Sequence, residues 1–234
     1  MSRVRITHSS ENNLFKHVLT LADLSRHKGE HRHAGEKKLF YLSSMSNGVE
    51  LVRSMIDHKK ILVLAMNGPG VGAGASWFQG VSDIFYAAEG SWLQVVFSQL
   101  GLLSEAGSAI NWAQTLGVHR ANELLMFGGK VTAEELKTAG MVNQIFPVEG
   151  FHEKVWSYLR EALAEKSGKA MMEMKRLQNQ SLRDQRLLAL FEAWHSLAER
   201  FVDGEPAQRM AAKAAELQGE FMLFDYSWWL KFGG

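Results

Sequence analysis

The chain has 234 residues, of which 46% are hydrophobic and 22% are charged, and its 26 Lys and Arg nearly balance 25 Asp and Glu. This composition is typical of a globular protein with a buried core, and it excludes the disordered and fibrous classes. The net charge of +1 argues against nucleic acid as a partner, because phosphate binding requires a basic face.

Cysteine usage and hydropathy indicate the compartment. Cysteine is absent, which excludes a disulfide framework and a thiolate nucleophile and favours an intracellular protein. The longest aliphatic run, Ile61 to Met66, is far shorter than the ~20 residues that a membrane span requires. We therefore expect no membrane span.

The first 60 residues differ from the rest in charge. They hold 11 Lys and Arg against six Asp and Glu, whereas the remainder holds 15 against 19. The stretch from Arg26 to Lys38 has almost no apolar residue that a core could bury, which is typical of a solvated loop. We predict a poorly ordered basic arm over residues 1–38, a core over 39–150 and a helical C-terminal region over 151–234.

Hydrophobic periodicity predicts the elements in chain order. Apolar residues at helical spacing predict a helix over 39–56, and the apolar run over 61–66 predicts a buried strand that ends at the breakers Asn67 to Pro69. Further elements follow: a helix over 74–78, strands over 81–87 and 92–97, helices over 108–117 and 121–129, a helix over 132–140 capped by Thr132, and long helices over 151–220 broken near Gly168 and at 203–206. This alternation favours an α/β fold.

The first candidate site is the glycine-rich loop from Asn67 to Ser76, between the predicted strand and helix. Glycines let a ligand approach the backbone, and the first amides of a helix are unpaired, so the loop suits an anion or an oxyanion. A tight strand-to-helix turn explains the same glycines. The loop lacks the Lys and Ser or Thr of a P-loop, and it matches the dinucleotide fingerprint only in a looser register from Gly70 to Ala75.

The second candidate is Glu105, a lone carboxylate in the apolar segment QLGLLSEAGSA. Burial there would disfavour the charged form and make the group a proton acceptor near neutral pH. The alternative is an acid at the start of a helix that is capped by Ser104 and stabilised by the helix dipole.

Three segments between Lys59 and Phe146 stand in the order and spacing of a known family: KKILVLAMNGPGVGAGAS, SDIFYAAEGSWLQVVFSQLGLLSEAGSAINWAQTLG and ANELLMFGGKVTAEELKTAGMVNQIFP. They resemble the crotonase superfamily, also called the enoyl-CoA hydratase/isomerase family. The segment from Asp203 to Met210 is similar to the C-terminal stretch of fungal peroxisomal 3-enoyl-CoA isomerases. The resemblance implies a spiral of ββα turns with a C-terminal trimerisation region, a homotrimer or hexamer that binds acyl-CoA and stabilises an enolate with two backbone amides.

Two positions separate the hydratases of that family from its isomerases. By resemblance, the hydratase glutamates correspond to Ser76 and Phe97 here, whereas the single isomerase glutamate corresponds to Glu105. One base suffices to move a proton from C2 to C4, while hydration needs one group for water and another for carbon. The resemblance therefore implies an enoyl-CoA isomerase that moves a double bond from position 3 to position 2.

The same resemblance implies roles for further residues. The amide of Ala73 is one oxyanion donor, Gly72 and Gly74 allow close approach, and Leu103 contacts the substrate. In the family, the second donor comes from an SGADF-like loop that follows two or three strands. Residues 1–60 offer neither, and the segment His33–Gly35 does not replace the loop. We therefore expect an N-terminally incomplete fold with impaired activity.

Two alternatives to the isomerase stay open at this point. One is a hydratase or a bifunctional enzyme of fungal fatty-acid or toxin pathways, and the other is a non-catalytic subunit that assembles with active copies. The resemblance implies no metal and no cofactor, since CoA is part of the substrate. It also implies a peroxisomal location, although the C-terminus lacks an SKL-type signal.

Two other signals receive a structural interpretation. His27, His31 and His33 are close in sequence, but no carboxylate or cysteine completes a metal-binding set, and an exposed basic loop is expected. The aromatic C-terminus, FMLFDYSWWLKFGG, is expected to pack against a neighbouring subunit.

Overall fold

The computed structural model describes residues 5–8 and 33–220, and side chains from 33 to 213. The main sheet has four parallel strands in the order β1 (Arg5–His8), β2 (Leu62–Met66), β4 (Ile84–Ala88) and β7 (Gln144–Phe146). A smaller sheet joins β3 (Gly70–Val71), β5 (Trp92–Gln94) and β6 (Val131–Thr132), with β3 parallel and β6 antiparallel to β5.

Helices surround these sheets and supply most of the C-terminal half. They are α1 (Ala34–Ile56), α2 (Ala73–Ser76), α3 (Ser108–Leu116), α4 (Val118–Phe127), α5 (Ala133–Thr138), α6 (Phe151–Leu163), α7 (Gly168–Asp203) and α8 (Glu205–Glu220). The long helix α7 packs along α1 and also contacts α3. None of the described helices combines the length and apolarity needed to cross a membrane.

The central strands β2 and β4 of the main sheet are buried on both faces, as parallel strands with flanking helices usually are. On one face, Leu64 and Phe85 join the largest core cluster, which also contains Trp112 and Phe201. On the other face, side chains of β2, β4 and β7 pack against α6. All five residues of β2 are therefore buried, which explains its continuous apolar sequence.

The α/β class predicted from the sequence is confirmed, and most predicted elements are present. The predicted helix over 39–56 begins earlier, at Ala34, because the His33 side chain caps it by accepting the Glu36 N–H at 3.2 Å. The first predicted strand after the glycine loop begins at Ile84, because residues 77–82 form a turn in which Ser82 N–H donates to the Phe78 carbonyl. Thr132 caps α5 in a full capping box with Glu135.

Two features of the N-terminal part were not predicted. One strand lies within residues 1–60, since β1 pairs in parallel with β2 along Arg5 to His8. Helix α1 begins at Ala34, before the predicted start of the core at residue 39, and the division into arm, core and C-terminal region stays a prediction. Hydrophobic periodicity misses both features, since β1 is short and polar and the first turn of α1 is charged. Residues 9–32 and 221–234, which include His27, His31 and the aromatic C-terminus, lie outside the described residues.

Candidate active site

The glycine-rich loop after β2 is held by the smaller sheet. β3 pairs with β5, and the N–H of Gly72 extends that pairing by donating to the Gln94 carbonyl at 2.9 Å. Gly72 has φ +61° and ψ −133°, a conformation that a residue with a Cβ rarely adopts. The glycine thus turns the chain from β3 into α2, which starts at Ala73.

The turn leaves backbone amides unpaired at the start of α2. No carbonyl of the described residues accepts the N–H of Ala73, as is usual for the first amides of a helix. A Cβ built at Gly72 or at Gly74 would meet no atom of the described residues within 4 Å. Within this part of the chain, the loop therefore presents an unpaired donor beside open space, as an oxyanion site requires.

Glu105 lies in an irregular loop between a short 3-10 turn (Ser98–Leu100) and α3. Its side chain is only 4% exposed, so the burial predicted from its apolar neighbours is confirmed. The alternative of an acid at the start of a helix capped by Ser104 is wrong, because α3 begins at Ser108 and has Gly107 as its N-cap. The Glu105 carbonyl accepts the Ser108 N–H at 2.8 Å.

The backbone after Glu105 is constrained on both sides. Ala106 has φ +53°, which is uncommon outside glycine. Gly107 has φ +73°, and a Cβ there would come within 3.3 Å of the Leu190 N atom in α7. Close packing on α7 therefore fixes the loop that carries the carboxylate.

The two carboxylate oxygens of Glu105 have different surroundings. The indole N–H of Trp77 donates to Oε2 at 3.1 Å, whereas Oε1 is buried without a hydrogen-bond partner among the described residues. Burial raises the pKa of Glu105 to about 7, and the Trp77 bond acts in the opposite direction. The group is therefore close to half ionised at neutral pH, which suits a general base.

Trp77 connects this carboxylate to the glycine-rich loop. Its backbone N–H donates to the Ala73 carbonyl at 3.1 Å, while its indole bonds to Glu105. The structure thus brings the loop of Ala73 and the side chain of Glu105, which are 32 positions apart in the sequence, to either side of one residue.

Other positions singled out in the sequence lie around this centre. Leu103 is 37% exposed on the loop before Glu105. Ser76 is fully buried, with its hydroxyl donating to the Ala73 carbonyl, and Phe97 is a core residue. Within the part of the chain whose side chains are described, Glu105 is the only carboxylate among the buried residues.

Sequence reasoning missed several polar groups in the same part of the sequence. Trp77 was not singled out, and neither were Gln79, Ser108 and Asn111, each of which has a buried polar atom without a partner among the described residues. Buried polar groups are usually paired, so these unpaired atoms are exceptions to the general rule. Polar residues in an otherwise apolar stretch were the available signal.

No cluster of three or more metal-binding side chains occurs among residues 33–213. His33, one of the three histidines considered as metal ligands, instead caps α1. His27 and His31 lie outside the described part of the chain.

The comparison with family models decides the family. A model described as enoyl-CoA hydratase/isomerase matches residues 29–217. The chain belongs to this family. A solved enoyl-CoA hydratase/isomerase from Pseudoalteromonas atlantica superimposes with a TM-score of 0.67 at 22% identity, over 72% of this chain and 67% of that chain. The predicted crotonase-like fold is therefore confirmed.

Two relatives with isomerase names each match somewhat less than half of the chain. Enoyl-CoA delta isomerase 2 of Rattus norvegicus is 37% identical over 111 residues, which are 47% of this chain and 28% of that protein. Delta(3,5)-Delta(2,4)-dienoyl-CoA isomerase of Pyricularia oryzae is 36% identical over 112 residues, which are 48% of this chain and 40% of that protein. The matches thus span less than half of either relative.

Proposed function

We propose that the chain is an enoyl-CoA isomerase that moves a double bond from position 3 to position 2 of an acyl-CoA. The observation that carries the proposal is the Glu105 carboxylate, which is buried and has one oxygen without a partner among the described residues. Its pKa of about 7 is that of a base that accepts and returns a proton near neutral pH. The names of the rat and Pyricularia relatives as isomerases support the same reaction class.

The reaction is a proton shuttle with an enolate intermediate. Glu105 removes a proton from C2, the electrons of that C–H bond move toward the thioester carbonyl, and the oxygen becomes negatively charged. The protonated Glu105 then returns the proton to C4, and the double bond forms between C2 and C3. No net proton is gained or lost, so one acid–base group completes the cycle.

Stabilisation of the enolate oxygen is the second requirement. The proposed donor is the N–H of Ala73, with Gly72 and Gly74 leaving space for the thioester and Leu103 beside the acyl chain. A single donor of this kind lowers the activation barrier by roughly 3 to 4 kcal/mol. By resemblance, the second donor belongs to an upstream loop, and residues 9–32 lie outside the described part of the chain. The expectation of impaired activity stays a prediction.

Isomerisation is favoured over hydration by the number of acids. Hydration requires one group to activate water and one to protonate carbon, and the positions of the hydratase glutamates hold Ser76 and Phe97. Both of these residues are buried and carry no carboxylate. We therefore propose isomerisation as the main reaction, with acyl-CoA as substrate, no metal or redox cofactor, and a homotrimer or hexamer as the assembly.

The test compares wild type with Glu105→Gln, which keeps the shape of the side chain and removes the base. Purified protein is incubated with a 3-enoyl-CoA or, separately, with a 2-enoyl-CoA, and products are separated by chromatography and mass spectrometry. We expect conversion of the 3-enoyl-CoA by wild type and a loss of about 10² to 10⁴ in kcat for the variant. Equal turnover by both proteins would disprove the role of Glu105.

Two other outcomes would favour the alternative functions. Hydration of the 2-enoyl-CoA as the faster reaction would favour the hydratase, and a folded oligomer without CoA binding would favour the non-catalytic subunit.

A further inference from the structure

Trp77 lies between the glycine-rich loop and Glu105, the two parts of the proposed site. Its indole is half-buried and packs with the cluster formed by Val52, Val81 and Leu190, while its N–H bonds to Oε2 of Glu105 at 3.1 Å. The ring therefore fills the space between α1, α7 and the loop of the carboxylate.

A glycine in the middle of α1 makes room for this ring. A Cβ built at Gly48 would lie 2.7 Å from Cη2 of Trp77 and 3.1 Å from Cζ3, and the first of these distances is shorter than real Cβ contacts, so the ring would have to shift. Glycine in a helix interior costs about 1 kcal/mol relative to alanine, so α1 gives up stability at a point where the indole lies against its backbone. The slot and the ring fit each other.

We propose that Trp77, seated in the slot at Gly48, is a positioning residue that holds Oε2 of Glu105 and leaves Oε1 as the oxygen that carries the substrate proton. The proposal rests on the isomerase function above and adds a residue that fixes the orientation of its base. A free carboxylate in a cavity adopts several rotamers, and catalysis requires the reactive oxygen within hydrogen-bond reach of the proton. One directional bond to the other oxygen removes that freedom.

Charged side chains lie on the elements around this loop, and they have other partners. Asp83 pairs with Lys175 of α7, and Asp57 at the end of α1 pairs with Arg53 and Arg183. Arg186 of α7, whose carbonyl lies against Gly107, donates instead to a glutamine of α3. None of these groups shifts the pKa of Glu105, which depends on burial and on the Trp77 bond. A substitution at Trp77 should therefore change the pKa of Glu105, and a titration of Glu105 measures that change.

The experiment compares Trp77→Phe with Trp194→Phe. Trp194 is also half-buried and also donates its indole N–H at 3.1 Å, but to the Leu42 carbonyl in α1. Both variants lose one indole hydrogen bond of equal length, and only the first loses a bond to the carboxylate. Rates of 3-enoyl-CoA isomerisation are measured from pH 6 to pH 9.

We expect Trp77→Phe to lower kcat about ten- to a hundredfold at neutral pH, as expected for a lost hydrogen bond to a charged group, with a small change in KM. Because the lost bond favours ionised Glu105, the deficit shrinks as pH rises, whereas Trp194→Phe follows the wild-type profile. Gly48→Ala, which pushes the ring out of its slot, serves as the second variant and shows the same trend in a milder form. A Trp77→Phe profile parallel to wild type at all pH values would overturn the proposal.

A second measurement separates this proposal from the isomerase function. Proteins labelled with 13C at the Glu side-chain carboxyl are titrated by NMR, with Glu105→Gln assigning the signal. The proposal predicts a higher pKa of Glu105 in Trp77→Phe than in wild type or Trp194→Phe. An unchanged pKa overturns the positioning role even if the isomerase assay succeeds, and a raised pKa with no isomerase activity in any protein means that only the proposed function has failed.

Discussion

Two buried ionisable groups of this molecule, Lys175 and Glu105, differ in how completely they are hydrogen-bonded. Lys175 of α7 is 6% exposed, and its ammonium donates to Asp83 Oδ2 and to the Lys60 carbonyl, each at 2.7 Å. Asp83 also accepts the Leu62 N–H at 2.7 Å. Glu105 is equally buried, yet its carboxylate has a single hydrogen bond and one oxygen without a partner among the described residues.

The difference separates a structural charge from a reactive one. The Lys175 and Asp83 pair joins α7 to the N-terminal ends of β2 and β4. Its hydrogen bonds replace those that the two charged groups would make with water, as burial of charge requires. Glu105 has no comparable replacement, which raises its pKa to about 7. An incompletely paired acid in a dry site is typical of a catalytic group.

The largest expected effect comes from removing one member of the structural pair. Lys175→Met leaves Asp83, which is 23% exposed, without its cation, and should lower the free energy of unfolding by about 3 kcal/mol. Glu105→Gln should leave that free energy unchanged or raise it at pH 8, since it removes an unfavourable buried charge. Urea denaturation of both variants measures the contrast. Equal destabilisation by the two substitutions would mean that Glu105 also has a structural role.

The pH dependence of stability gives an effect of similar size from a single group. Glu105 has a pKa of about 7 in the folded protein and a reference value of 4.5, so the fold binds its proton more tightly than the unfolded chain does. Its contribution to stability is complete below pH 4.5 and is lost as pH rises through 7, a change of about 3 kcal/mol.

The difference in unfolding free energy between wild type and Glu105→Gln isolates this contribution from all other titrating groups. Wild type should lose stability relative to the variant between pH 5 and pH 8. A difference that stays flat over this range would show that the pKa of Glu105 is not raised.

A smaller effect distinguishes two glycines of the proposed oxyanion loop. Gly72→Ala forces a Cβ into a backbone with φ +61° and should lower the unfolding free energy by about 1 to 2 kcal/mol. The Cβ of Gly74→Ala meets no atom of the described residues within 4 Å. The variant should therefore keep full stability and lower kcat/KM, because its Cβ enters the space proposed for the thioester. Thermal unfolding and isomerase rates test this pair. Full activity of Gly74→Ala would argue against substrate at this loop.

The smallest effect serves as a baseline remote from both buried groups. Thr132→Ala removes one hydrogen-bond acceptor from the capping box of α5, in which Thr132 Oγ1 accepts the Glu135 N–H. Glu105 takes no part in this capping box. It should lower the unfolding free energy by about 1 kcal/mol and leave the pH profile of activity unchanged. A change in that profile would mean that stability and the proposed site are coupled.

Local signals explain which parts of the fold were predictable. The cap at Thr132 and the strand at β2 depend on neighbouring residues, and both are found where the sequence indicated them. The bond from Trp77 to Glu105 joins positions 28 apart, and the pair of Asp83 with Lys175 joins positions 92 apart. No periodicity encodes such contacts, because they depend on how the helices pack on the sheet.

The candidate site was predictable in part for the same reason. The apolar neighbours of Glu105 in sequence indicated its burial, and the glycines around Ala73 indicated a turn with unpaired amides. The sequence held no sign that Trp77 connects the two. The strand β1 was missed because its partner, β2, lies more than 50 positions along the chain.

The most direct test of the account follows the proton itself. A 3-enoyl-CoA carrying deuterium at C2 is converted in ordinary water, and the product is examined for deuterium at C4 by mass spectrometry and NMR. A single buried carboxyl that removes and returns the same hydrogen predicts deuterium at C4 in a measurable fraction of the product, and none in the Glu105→Gln reaction. Product formed by wild type with no deuterium at C4 would contradict the shuttle by Glu105.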